Sequence, residues 1–96
     1  MSIYRFPAFK VDDDMNLRSQ IDKIKTELRE AKSAEIRYRC NGKEGIEKTA
    51  LGMELLDIIH ATETALRMEY TEEEVEDLRN KVIVKNQARN YYRVTK

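Results

Sequence analysis

Apolar residues recur along most of this chain at helical spacing. Leu17, Ile21, Ile24, Leu28 and Ala31 fall three and four apart, which predicts a helix from about Met15 to Arg37 with one apolar stripe. The period stops in Tyr38-Arg39-Cys40-Asn41-Gly42-Lys43-Glu44-Gly45, where two of the three glycines mark a loop or a frayed helix end. A second helix is predicted from Ile46 or Glu47 to about Glu69. Its centre, from Ala50 to Ala61, is apolar nearly all round, which suits a helix inside a bundle. Thr71-Glu72-Glu73-Glu74 has the form of a capping box and opens a third helix, expected to run from about Glu72 to Tyr92 with Val75, Leu78 and Val82 facing inward.

Ahead of these helices, residues 1–11 form an aromatic arm with Tyr4, Phe6 and Phe9, interrupted by Pro7. An oligomer interface is the first expectation for those rings, with cover for a nucleobase as the second. Residues 12–96 make a single all-α domain. Its opening acids Asp12, Asp13 and Asp14 suit the positive end of a helix dipole, and one of them is expected as the N-cap.

Composition narrows the partners. In 96 residues there is room for one domain, and 18 basic residues balance 18 acidic ones, so the chain lacks the positive field of a dedicated nucleic-acid binder. Cys40 is the single cysteine, which excludes an intramolecular disulfide and a multi-cysteine zinc site and fits a reducing cytoplasm. No stretch is long and apolar enough to span a membrane, and the first residues do not resemble a targeting segment, so a soluble cytoplasmic protein is expected. Three helices cannot easily enclose a second helix that is apolar on all sides. The fold expected is therefore a small bundle of three or more helices completed by oligomerisation, as a homodimer or homotetramer.

The informative polar residues are acids. On the second helix only Glu54, Asp57 and His60 interrupt the apolar run, and Glu54 and Asp57 lie about 60° apart on the helical wheel. Two carboxylates in a dry interior repel each other and lose solvation, so something positive must offset them. A hard divalent cation would, and carboxylates with retained waters suit magnesium; an ion pair with a basic residue of another helix is the structural alternative. Glu27 and Glu30 repeat the spacing on the first helix, beside Gln20, Lys23 and Ala34. Read alone, they suit a solvated face; if that face meets the second helix, four carboxylates converge across a helix pair, as in di-metal bundles. His60 is read as a packing residue turned away from the acids, and Cys40 as incidental.

Glu27-Leu28-Arg29-Glu30, followed after 23 residues by Glu54-Leu55-Leu56-Asp57, resembles the ExxE and ExxD pair of the MazG-like all-α nucleoside triphosphate pyrophosphohydrolases. Lys85-Asn86-Gln87-Ala88-Arg89-Asn90-Tyr91 is similar to their closing KNxxRGY stretch, with Asn90 where glycine is usual; the glycine often flanking the first motif is also missing. The resemblance covers about Leu17 to Tyr92. It implies a nucleoside triphosphate substrate, cleaved to monophosphate and pyrophosphate, and magnesium, or manganese in its place, held by Glu27, Glu30, Glu54 and Asp57. It also implies phosphate contacts from Lys85, Asn86 and Arg89. Glu27 or Glu30 is the expected base. Independently, the inward stripe of the third helix leads on to Lys85, Asn86 and Arg89, which could meet phosphate oxygens by charge-assisted hydrogen bonds. The competing reading is a non-catalytic helical interaction module, and a further one is an enzyme of this fold acting on another phosphate-containing nucleotide.

Overall fold

The computed structural model describes residues 2–8, 10 and 14–92. Among these are three helices and no strand: α1 (Leu17–Cys40), α2 (Gly45–Glu69) and α3 (Glu72–Ala88).

Several helix boundaries have a local cause. Asn16, not an aspartate, caps α1: its Oδ1 accepts from the Ser19 N–H at 2.8 Å, and Ser19 Oγ accepts from the Asn16 N–H at 3.1 Å. This reciprocal pair satisfies two backbone donors at the helix start, which an acid further upstream cannot reach. Asp14 lies in a turn before the helix, and Asp12 and Asp13 fall outside the described residues. At its other end α1 runs past Arg37 to Cys40, where Arg37 and Arg39 complement the negative end of the dipole. Gly42 and Gly45, at φ 83° and 66°, then adopt left-handed conformations that turn the chain back.

The capping box at α3 is present as read. Thr71 Oγ1 accepts from the Glu74 N–H at 3.2 Å, and Glu74 Oε1 accepts from the Thr71 N–H at 3.0 Å. The helix stops at Ala88, short of the expected Tyr92. Asn90 turns left-handed at φ 58°, and the Tyr91 N–H returns to the Asn86 carbonyl at 3.0 Å. Asparagine tolerates that conformation better than other residues with a side chain.

α1 and α2 form an antiparallel hairpin. Near one end the Gln20 amide donates to the Ala61 carbonyl at 2.9 Å, and near the other Arg37 Nε lies 3.7 Å from Glu47 Oε2. Their seam is made of small and polar residues: Gln20, Ala31 and Ala34 from α1 against Ala61, Thr64 and Ala65 from α2. Small side chains let the backbones approach closely, so this face, rather than the Leu and Ile stripe, turns to the neighbouring helix. The expected stripe on α1 is therefore only partly covered: Ala31 is buried, but Ile21 and Leu28 are 46% and 48% exposed. On α2, Met53, Leu55, Leu56 and Ile59 are also exposed. α3 does not pack along either helix as they pack on each other. Of its expected inward residues Val75 is buried, whereas Leu78 and Val82 are exposed.

The arm docks on its own chain. Phe6 stacks on His60, and the Arg67 guanidinium lies 4.0 Å over the Tyr4 ring. Both rings thus meet α2 of the same chain; Phe9 lies outside the described residues. No helix among the described residues is long and apolar enough to cross a membrane.

Candidate metal centre

The close α1/α2 seam brings acids from both helices together. Glu27 and Glu30, three residues apart on α1, and Glu54 on α2 offer carboxylate oxygens that all lie within 4.8 Å of one another. The Glu27 side chain is only 12% exposed, Glu54 is half-buried and Glu30 is exposed. The face of α1 that carries Gln20, Lys23 and Ala34 does meet α2, so Glu27 points along the seam and not into solvent.

The hydrogen bonding of the cluster is incomplete. Lys23 Nζ lies 3.4 Å from Glu27 Oε1. Glu27 Oε2 and Glu54 Oε2, however, are buried with no hydrogen-bond partner. A buried carboxylate oxygen without a donor forfeits solvation worth about 1–3 kcal/mol or more. Three formal negative charges facing one ammonium leave a deficit that a divalent cation would balance. Around magnesium, ligand oxygens stand roughly 3 Å apart when adjacent and roughly 4 Å when opposite. With their oxygens all within 4.8 Å of one another, the three glutamates are close enough for a single such ion to bridge.

Asp57 is exposed and stands beside this triad rather than within it. With Glu27 and Lys23 it lines an open cavity of about 220 Å³, whose other walls include Gln20, His60 and Thr64. There it could hold an ion through water or grip a ligand's polar end. His60 shares that lining, contrary to its reading as a residue turned away from the acids. The signal was in the spacing: residues 57, 60, 61 and 64 recur at three and four and form one helix face.

The cationic group is placed elsewhere. Lys85 and Asn86 lie in the last turn of α3 and Arg89 is its C-cap. Asn86 Nδ2 donates to the Tyr92 hydroxyl at 3.3 Å, and the Arg89 guanidinium is 5.9 Å from the Tyr91 ring centroid. Because α3 does not pack along the hairpin, these side chains do not join the carboxylates within one chain.

Fold and site together define an all-α protein with a cluster of three close glutamates able to hold a metal ion. No family model, curated protein or solved structure matches this chain.

Proposed function

We propose that this chain is a magnesium-dependent nucleoside triphosphate pyrophosphohydrolase working in the cytoplasm. The observation that carries the reading is the cluster of Glu27, Glu30 and Glu54 across the α1/α2 seam, with two buried carboxylate oxygens that lack partners. The residues in it belong to the two motifs that resemble the MazG-like enzymes. Asn90 adds support, since it takes the left-handed conformation for which a glycine at that place is suited.

In this reading Glu27, Glu30 and Glu54 hold the ion and Asp57 completes its surroundings from the cavity. Magnesium, when bound, supplies Lewis acidity to the phosphate oxygens. Glu27 or Glu30 takes the proton from the attacking water as its oxygen bonds to the α-phosphorus. The bond to the bridging oxygen breaks, and pyrophosphate leaves. Lys85, Asn86 and Arg89 hold the departing phosphates by charge-assisted hydrogen bonds. Since they stand apart from the acids in one chain, they reach the pocket from another copy in a homodimer or homotetramer. Exposed Ile21, Leu28, Met53, Leu55, Leu56 and Ile59 supply the apolar surface for such an assembly.

Those same exposed side chains favour a second reading, a non-catalytic helical module whose business is association. Pyrophosphate release from a panel of canonical and modified triphosphates separates the two, run with magnesium, with chelator and with Glu54→Ala. Release that needs both magnesium and Glu54 supports the hydrolase; no release from any triphosphate favours the module.

A further inference from the structure

Two extended residues, Tyr70 and Thr71, join α3 to the hairpin, and α3 does not pack along α1 or α2. The soft backbone dihedrals of that short link set the direction of α3, and small rotations in them turn the helix without breaking it. A second connection across the corner therefore decides how firmly α3 is held.

The arm supplies that connection. On α2, His60, Glu63 and Arg67 recur at three and four and share one helix face. Phe6 stacks on the His60 ring with centroids 4.7 Å apart. Glu63 accepts the backbone N–H groups of Arg5 and Phe6 at 2.9 and 3.0 Å. Arg67 donates to the Phe6 carbonyl at 2.9 Å and lies over the Tyr4 ring. Both backbone polar groups of Phe6 are thus engaged by charged side chains, and charge-assisted hydrogen bonds of this kind are among the strong ones. On α3, Glu72 Oε1 accepts from the Ile3 N–H at 2.7 Å, and Ser2 and Ile3 share a surface hollow with Glu76 and Arg79. Glu72, Glu76 and Arg79 again lie on one helix face, and Val75 on that face is buried. Residues 2–6 thus close a triangle whose other two sides are α2 and α3.

We propose that the arm is a brace that sets the direction of α3, with Glu63 and Arg67 as positioning residues for the cationic end formed by Lys85, Asn86 and Arg89. The brace itself needs no ligand; its effect on phosphate binding rests on the nucleotide reading above. Lys85 stands roughly 20 Å along the helix from Glu72, so a swing of roughly 20° at the corner displaces it by roughly 7 Å. That is well beyond the tolerance of a hydrogen bond to phosphate.

Pulsed EPR on the full chain reads the corner directly. Cys40, the single cysteine, is exposed at the end of α1, and Lys81→Cys adds a second label on the face of α3 opposite Glu72. With labelled chains diluted in an excess of unlabelled ones, one narrow distance is expected. Arg67→Ala and Glu63→Ala should each spread it by roughly 5 Å, the displacement such a swing gives at position 81. Arg67→Lys, which keeps a cation over Tyr4 and a donor for the Phe6 carbonyl, should leave it narrow. Glu63→Ala decides the matter should Arg67→Ala lose helicity by circular dichroism. In turnover, if about a tenth of the Arg67→Ala chains hold α3 in line, KM rises about tenfold with kcat within about twofold. A merely structural defect lowers the amount of active protein, and hence kcat, instead. In an Arg89→Ala background the effect of Arg67→Ala on KM should shrink to within about twofold, because the brace acts through that end of α3.

An unchanged narrow distance in both alanine variants overturns the brace, and a spread distance with KM unmoved overturns the positioning role. The two levels fail separately. A spread distance without release from any triphosphate keeps the brace and removes the hydrolase. Glu54-dependent pyrophosphate release with an unchanged distance keeps the hydrolase and removes the brace.

Discussion

Neutralising one acid of the triad should stabilise the metal-free protein and abolish its response to magnesium. Glu54→Gln keeps the shape of the side chain and removes one charge. Two unit charges 4.8 Å apart, the outer limit within the triad, repel by roughly 3.5 kcal/mol at an effective dielectric constant of about 20 and by under about 1 kcal/mol in bulk water. Glu30 is exposed, and Lys23 lies 3.4 Å from Glu27, so screening and compensation place the relief near the lower limit. A gain of about 1 kcal/mol is expected in chelator, a rise in Tm of about 4–8 °C for a domain of this size. Magnesium at a hundredfold excess over Kd should stabilise the wild type by about 2.7 kcal/mol. In Glu54→Gln most of that increment should be lost, so the order of stability inverts between chelator and magnesium. Thermal unfolding by circular dichroism, at one fixed protein concentration, reads all four states. A wild-type Tm indifferent to magnesium, together with a less stable Glu54→Gln in chelator, would refute the reasoning and identify the acids as partners in a structural network.

Three further outcomes are expected. Arg89→Ala should lower kcat/KM for triphosphates by about tenfold or more, as loss of a charge-assisted hydrogen bond implies, while calorimetric titration finds magnesium affinity unchanged; a parallel loss of metal binding would place Arg89 elsewhere in the mechanism. Ala34 has no exposed surface in the helix seam, so Ala34→Leu should cost about 1–3 kcal/mol by forcing α1 and α2 apart, read by urea denaturation, and unchanged stability would contradict the close seam. The Tyr4 hydroxyl is held above its ordinary value of 10.0, chiefly by burial, with Arg67 opposing and Glu72 and Glu63 adding to the rise. Its neutral form favours the docked arm, so this contribution is complete below about pH 10 and is lost as pH climbs through the raised value. The Phe6 ring-current shift on His60 should fade over that alkaline range and persist in Tyr4→Phe, which keeps the ring under Arg67 and deletes a buried hydroxyl that has no partner.

The sequence alone determined the features that depend on near neighbours in the chain. Helical spacing located all three helices, because a 3.6-residue period is written into the order of apolar and polar residues. Thr71 and Glu74 announced the start of α3, because a capping box closes within four residues. The pairing of Glu27 with Glu30 followed equally from spacing on one helix, whereas Asp57, expected to converge with Glu54, lies on the adjoining cavity. What only the tertiary structure decided was which faces meet. Gln20, Ala31 and Ala34 turn toward α2 and leave Ile21 and Leu28 exposed, since close approach favours small side chains over the most hydrophobic ones. That choice gathers Glu27, Glu30 and Glu54 and sets Asp57 and His60 on the adjoining cavity. The docking of Phe6 on His60 joins residues 54 positions apart, and Lys85, Asn86 and Arg89 stay away from the acids because α3 leaves the hairpin. Such long-range pairings depend on the angles between helices, which no local periodicity encodes.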